Sequence, residues 1–147
     1  MDNLSKQVRS KIMASIASVN TKPELQLRYV LHSLGVRYKL HDRTLPGSPD
    51  IVFPKYCAVV FVHGCFWHMH GCRLGNIPRT RTQFWIDKFR NNAERDQRNL
   101  ELLHNLGWRS LIVWECAIKT SAHNLEELGK VVRDWLKSEV QYEEIGI

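Results

Sequence analysis

The sequence predicts an α/β fold in which a central mixed β-sheet is flanked by helices. Three observations lead there. Segments with apolar residues at helical spacing alternate with β-branched runs, no repeat or Gly/Ser linker breaks the chain, and a cluster of cysteine and histidine follows one of the runs. Its 147 residues suit one domain with a core of its own, so residues 1–147 are taken as a single unit.

Leu4, Val8, Ile12 and Ile16 recur every four residues and predict a short amphipathic helix in residues 1–20, with Lys6, Arg9 and Lys11 between them. T-K-P-E at 21–24 is a capping box, with Thr21 as N-cap and Glu24 at the third helical position, and Leu27, Val30, Leu31 and Leu34 then form one face of a helix that Gly35 ends. VRYKLHD at 36–42 alternates like a strand. DIVF and CAVVFVH are β-branched runs separated by P-K-Y, which predicts a strand pair with a tight connection. Thr80 or Thr82 can cap a long helix carrying Ile86, Phe89, Ala93, Leu100 and Leu103, and Gly107 closes it. SLIVWE at 110–115 is almost continuously apolar and so predicts an interior strand; Asn124 with Glu127 caps a last helix facing inward through Leu128, Val131, Val132, Trp135 and Leu136. Residues 138–147 read as an acidic, flexible tail.

Apolar residues make up 44% of the chain and charged residues 24%, and no apolar run approaches the ~20 residues that a bilayer span needs. The opening MDNLSKQVRS does not read as a signal peptide, so a cytoplasmic location is expected. The net charge of +6 is uneven: residues 73–98 hold seven Lys or Arg against three acids, and residues 1–45 hold eight against three. Clustered positive charge suits a polyanion such as nucleic acid.

Four cysteines in a reducing compartment read as metal ligands or buried thiols. Cys65, His70 and Cys72 form a C-x4-H-x-C pattern just past a strand. Structural zinc wants four such ligands in a closed tetrahedron, and Cys116 is well placed to be the fourth if SLIVWE lies beside CAVVFVH. His68 could stand in for His70. Cys57 reads as a buried thiol inside a strand. PGSPD puts Asp50 at a strand start, near the end of the facing strand if the pair is antiparallel. A carboxylate there suits Mg²⁺, and it equally suits the closing of a Pro-Gly turn.

P-D at a strand start, with a cation-capable residue on the next strand, resembles the restriction-endonuclease-like nuclease core, usually PD followed by D/E-x-K. Here Phe61-Val62-His63 fills the second position, so the second acid is missing and His63 replaces the lysine. With the PGxPD loop, F-x-HGCFWH-x-H-x-C, T-R-T-x-FW, N-x-ERD and GW-R-x-L-x-VWEC, the chain resembles the Vsr family of very short patch mismatch repair endonucleases from about Ser5 to Trp135.

The resemblance implies Mg²⁺-dependent nicking of one DNA strand 5′ of the thymine in a T:G mismatch, the lesion left by deaminated 5-methylcytosine. It implies Asp50 and the Val62 carbonyl as contacts for one or two Mg²⁺ ions, with Val62 standing where family members often have Thr. It implies His68 as the residue handling the proton of the attacking water, His63 near the scissile phosphate, and Glu24 near the active site, where its capping role is an equally complete explanation. Cys65, His70, Cys72 and Cys116 match the ligands of one structural zinc. Phe66, Trp67 and Trp85 match aromatics that wedge into the base stack, although Trp85 or its neighbour Phe84 must pack inward. Asn92 and Asp96 match helix residues facing the site, Lys6, Arg9 and Lys11 an arm across the DNA, and Arg73, Arg79 and Arg81 are expected at phosphates. Implied partners are mismatched duplex DNA, mismatch-repair proteins and a cognate cytosine-5 methyltransferase, in a monomer of the bacterial nucleoid. Two rival readings remain at this level: a zinc-stabilised DNA-binding module without cleavage, and a restriction-type endonuclease cutting a matched site.

Overall fold

The structure, a computed structural model, describes residues 20–68, 70–72, 77–121 and 124–146. The expected N-terminal helix with Lys6, Arg9 and Lys11 lies outside the described residues, as does Arg73. Helix α1 (Lys22–Ser33) starts at Thr21 as predicted, with Pro23 in the first turn, but only half of the capping box forms: the Glu24 N–H donates to Thr21 Oγ1 at 3.4 Å, while the Glu24 carboxylate turns to Arg28 and His41. Strand β1 (Lys39–Leu40) is shorter than the alternation at 36–42 suggests. β2 (Ile51–Phe53) and β3 (Ala58–His63) are the two β-branched runs, joined by a 3₁₀ turn over Pro54–Tyr56.

Cys57 corrects the sequence reading. It is exposed, not buried in a strand, because the tight reversal after Pro54–Tyr56 needs a residue at positive φ, and Cys57 sits there at +47° with its N–H bonded to Pro54 O. Helix α2 (Thr82–Asn105) brings a second correction, since neither threonine caps it. Arg81 occupies the N-cap at φ +54°, and the Thr82 hydroxyl donates backward to the carbonyls of Arg79 and Pro78. After β4 (Arg109–Trp114) comes a short helix that periodicity did not reveal, α3 (Glu115–Thr120), then α4 (Leu125–Lys137). Asn124 does stand at the α4 N-cap, but its side chain makes no capping bond, and Val131 is exposed, not inward, because the buried face runs through Leu128, Val132, Trp135 and Leu136. The acidic tail is not loose throughout: Tyr142–Ile145 form β5.

The sheet order is β1-β2-β3-β4-β5, antiparallel from β1 to β3 and parallel from β3 to β5. SLIVWE is therefore interior, paired on both sides, as its unbroken hydrophobicity predicts. Alternate residues divide the sheet between two apolar layers. Ile51, Phe53, Val60, Leu111 and Val113 pack with Leu27 and Leu31 of α1, Ile118 of α3 and Val132 and Leu136 of α4. Val52, Val59, Phe61, Ile112 and Trp114 pack on the opposite side with Leu103 of α2 and with Cys65 and Cys116.

Arg109 fixes the route from α4 to β5. Its buried guanidinium donates to the carbonyls of Leu136 (2.7 Å), Trp135 (3.1 Å) and Val140 (3.2 Å). The first two belong to the last turn of α4, where a helix end leaves carbonyls without intrahelical partners, and a cation there also meets the negative end of the helix dipole. No helix among the described residues is long and apolar enough to cross a membrane.

Candidate active site and metal centre

β3 and β4 run parallel with His63 opposite Trp114, so the chain leaves both strands at one edge. The loop after β3 carries Cys65, His70 and Cys72; the first turn of α3 carries Cys116. One ligand atom from each lies within 4.8 Å of the others. The Cys116 N–H donates to Cys65 Sγ at 3.3 Å, Cys116 Sγ is 3.5 Å from His70 Nδ1, and the Cys65 N–H donates to Glu115 Oε1 at 3.4 Å. Burial pushes the Cys65 thiol up to about 12, so a metal entering here displaces its proton. Three sulfurs and one imidazole, closed around a common point, suggest a structural zinc site. The imidazole that joins the sulfurs is that of His70, not His68. It stacks on Trp114 with centroids 4.1 Å apart, and a side chain at Gly146 would meet its Cε1 at 3.0 Å.

A cavity of about 1110 Å³ opens between the sheet edge and α2. Asp50, Val62, His63, Phe66, Trp67, His68, Asn92 and Asp96 all line it. The antiparallel β2–β3 pair sets Asp50 against the end of β3, where its Oδ2 accepts the Val62 N–H at 2.7 Å. Burial raises the Asp50 carboxyl, the Val62 N–H opposes that rise, and the adjacent Glu24 carboxylate adds to it, for a value of about 7. Glu24 is 1% exposed, bound through Oε2 to Arg28 Nη1 and His41 Nε2, each at 2.8 Å. Ligand atoms of Glu24, His41 and Asp50 lie within 4.8 Å of one another. A buried carboxylate and a partly buried one so close repel, and a divalent cation between them would remove the repulsion; the oxygens fit a hard ion such as Mg²⁺.

His68 and His63 stack face to face at 3.7 Å. His68 Nδ1 is 2.5 Å from Asp96 Oδ2, which fixes the ring and leaves Nε2 available to the cavity. Burial acts to raise the Asp96 carboxyl, but the His68 bond and the charges of His68, His63 and Arg95 outweigh it and hold the group below its ordinary value. His63 is different in kind. Burial first, then the neighbouring His68, pushes it down to about 3, and its Nδ1 has no partner among the described residues. At neutral pH it is an uncharged ring.

Asn92 Nδ2 donates to the Trp67 carbonyl at 3.0 Å, so α2 holds the loop at two points, Asn92 and Asp96. Phe66, Trp67, Trp85 and Phe89 form an aromatic cluster with centroids 5.0 to 6.0 Å apart, in which Phe66 meets the other three edge-to-face and Trp85 stacks on Phe89. Of the pair at the start of α2, Trp85 packs inward and Phe84 is exposed. Arg79 and Arg81 are exposed beside that start and do not line the cavity; Arg81 lies over the Phe84 ring.

The family model described as DNA mismatch endonuclease Vsr matches residues 1–74. The chain is 44% identical to the DNA mismatch endonuclease Vsr of Escherichia coli over 135 residues, 91% of this chain and 86% of that protein. The chain belongs to the Vsr family of DNA endonucleases. Other relatives carry a different name. The type II nicking enzyme V.XorIIP of Xanthomonas oryzae is 49% identical over 80% of this chain and 86% of its own length, and V.NmeAIP of Neisseria meningitidis is 44% identical over 86% and 90%.

Four residues of this Vsr-family cavity region escaped the sequence reading. Lys88, Arg95 and Asn99 line the cavity with Asn92 and Asp96. Their spacing is helical, so the polar stripe of α2 was visible in principle. His41, beside Glu24 and Asp50, had no such signal. It ends a two-residue strand at φ +48° and points at a carboxylate 17 positions earlier.

Two measurements check this geometry. Elemental analysis should find about one zinc per chain and far less in Cys116→Ser; a folded, metal-free wild type would contradict the assignment. For Asp50, the folded state between pH 3.8 and about 7 keeps a proton that the unfolded chain has lost, so this group's contribution to stability falls as pH rises through that window. Asp50→Asn lacks that loss. In magnesium-free buffer at pH 7.5 it should melt a few degrees above wild type, by ~3 °C or more, with the difference vanishing near pH 4. Equal melting temperatures at pH 7.5 would remove the proposed strain.

Proposed function

We propose that this chain is a Mg²⁺-dependent endonuclease that nicks one strand 5′ of the thymine in a T:G mismatch and so starts very short patch repair. The observation that carries the reading is the convergence in one cavity of Asp50, beside Glu24, with a histidine oriented by a carboxylate, His68 on Asp96. Asp50, with the main-chain carbonyl of Val62, would hold the magnesium, and Glu24 stands against it. Bound there, the ion would neutralise charge on the scissile phosphate. His68, with Nδ1 committed to Asp96, takes the proton of the attacking water at Nε2. His63, neutral and pressed against His68, acts through hydrogen bonding and by fixing the His68 ring, not through charge. This divides the work of the two histidines.

Lys88 and Arg95 on the cavity wall would meet phosphates, with Arg79 and Arg81 farther along the strand, and Arg73 and the N-terminal arm adding to the same charge. Phe66, Trp67 and Trp85 supply the apolar wedge. Unstacking a base step costs a few kcal/mol and less at a mispair, so insertion discriminates by itself. Because the three rings pack on one another, entering DNA trades ring contacts for base contacts. A nick in one strand needs one active site, so a monomer suffices, working on nucleoid DNA in the cytoplasm. A cognate cytosine-5 methyltransferase would make the 5-methylcytosine whose hydrolytic deamination leaves the lesion, and mismatch-repair proteins would act on the product.

The second reading comes from the relatives named as type II nicking enzymes: the chain nicks mismatches only within one modification sequence. One assay addresses both. Labelled duplexes carrying T:G or T:A in varied flanks are incubated with Mg²⁺, and nicking 5′ of the mismatched thymine should exceed cutting of the T:A control by at least ~100-fold. Dependence on one flank selects the restricted reading. Equal cutting of T:A, or mismatch binding with no nick, would overturn the proposal.

A further inference from the structure

Glu24 and Asp50 come from separate elements, the first turn of α1 and the residue before β2, and one residue touches both. The His41 main-chain N–H donates to the Asp50 carbonyl at 3.1 Å, extending the β1–β2 ladder by one bond, and His41 Nε2 is 2.8 Å from Glu24 Oε2. Positive φ at His41 makes this possible. At +48° the chain leaves the strand alternation, so the side chain swings back toward α1. The same Glu24 oxygen accepts from Arg28 Nη1 at 2.8 Å, and Arg28 also reaches Asn20 Oδ1 at 2.7 Å. Tyr38 Oη donates to the Arg28 carbonyl at 3.1 Å, tying α1 to the segment that leads to His41. Facing a carboxylate, Nε2 carries the proton and donates.

We infer that His41 is a positioning residue of the nicking reaction: it clamps Glu24 to the Asp50 segment and so fixes the carboxylate pair, without lining the cavity or touching DNA. This rests on the reading of Glu24 and Asp50 as the carboxylates of the reaction. Its physical content is a distance. An acid on a helix and an acid on a strand hold one spacing only if something spans the two elements, and small misplacements at a reacting centre cost orders of magnitude in rate.

The test compares His41→Ala, His41→Asn and His41→Gln in the full chain, with Glu24→Ala, Asp50→Asn and the double variant Glu24→Ala/His41→Ala. Readouts are single-turnover nicking of a T:G duplex, Kd for that duplex, melting temperature, and Mg²⁺ affinity from the magnesium-induced shift in melting temperature. Asn accepts positive φ readily but its amide is too short to reach Glu24, whereas Gln reaches about as far as Nε2. The inference expects nicking to fall by about 10-fold or more in His41→Ala and His41→Asn. It expects recovery to within about 3-fold of wild type in His41→Gln, weaker Mg²⁺ binding in the Ala and Asn variants, unchanged duplex Kd, and no added loss in the double variant beyond Glu24→Ala. Full activity in His41→Asn would show that only the backbone turn matters. Losses that track melting temperature or duplex Kd, or that add to Glu24→Ala, would show a structural role instead. Either result overturns the inference. If Glu24→Ala and Asp50→Asn stop nicking while His41→Ala does not, positioning alone fails; if neither acid matters, the carboxylate reading fails and takes the inference with it.

Discussion

Everything in the site depends on the in-register parallel pairing of β3 with β4. It ends two strands at the same edge, His63 beside Trp114, and the next residues on each side are a glycine and an acid followed by a cysteine. From that point the chain can close Cys65 and Cys116 around a common centre. Once closed, that centre holds the loop at Cys65, His70 and Cys72. The loop therefore presents Phe66, Trp67 and His68 to α2 in fixed order, where Asn92 and Asp96 take hold of it. Trp114 is the divider. One indole stacks on the metal-side His70 and meets the cavity-side His63 edge-on, and its Nε1 donates to Glu144 of β5 at 3.3 Å.

The cavity carries its own electrostatic cost, and the fold places that cost where chemistry can use it. Glu24 is buried and Asp50 is partly buried beside it, which no stability argument favours, since charges leaving water lose several kcal/mol each unless paired. Glu24 is paired with Arg28 and His41; among the described residues Asp50 meets the Val62 main-chain N–H and the side chain of Glu24. Asp50 is thus the group most in need of a cation. His68 and Asp96 show the opposite balance, a carboxylate held ionised by the imidazole it orients.

Much of this was legible in the residues. Helical periods and β-branched runs located α1, α2, α4 and the strands β2 to β4, because each buries a face and burial writes a period into the sequence. The C-x4-H-x-C spacing with a cysteine after VWE identified the Cys3His cluster before any geometry was known. What stayed hidden depends on backbone or partners, not on side-chain pattern. β5 is polar and mostly exposed, and exists because β4 offers it a free edge. Cys57 follows the demands of a turn, and Arg81 took the N-cap from two threonines better suited by type. His41 reaches Glu24 only after a left-handed residue, which no alternation rule anticipates.

Zinc held by Cys65, His70, Cys72 and Cys116 would order the loop that carries His68 without ordering the sheet. Hydrogen exchange on zinc-loaded and zinc-stripped protein addresses it directly, because the His68 and His70 amides bond within the loop, to the Gly64 and Cys65 carbonyls at 3.2 and 3.0 Å. Zinc removal should deprotect those two amides while the β3 and β4 amides keep their protection. Loop amides equally protected without zinc, or a sheet that opens together with the loop, would contradict the account.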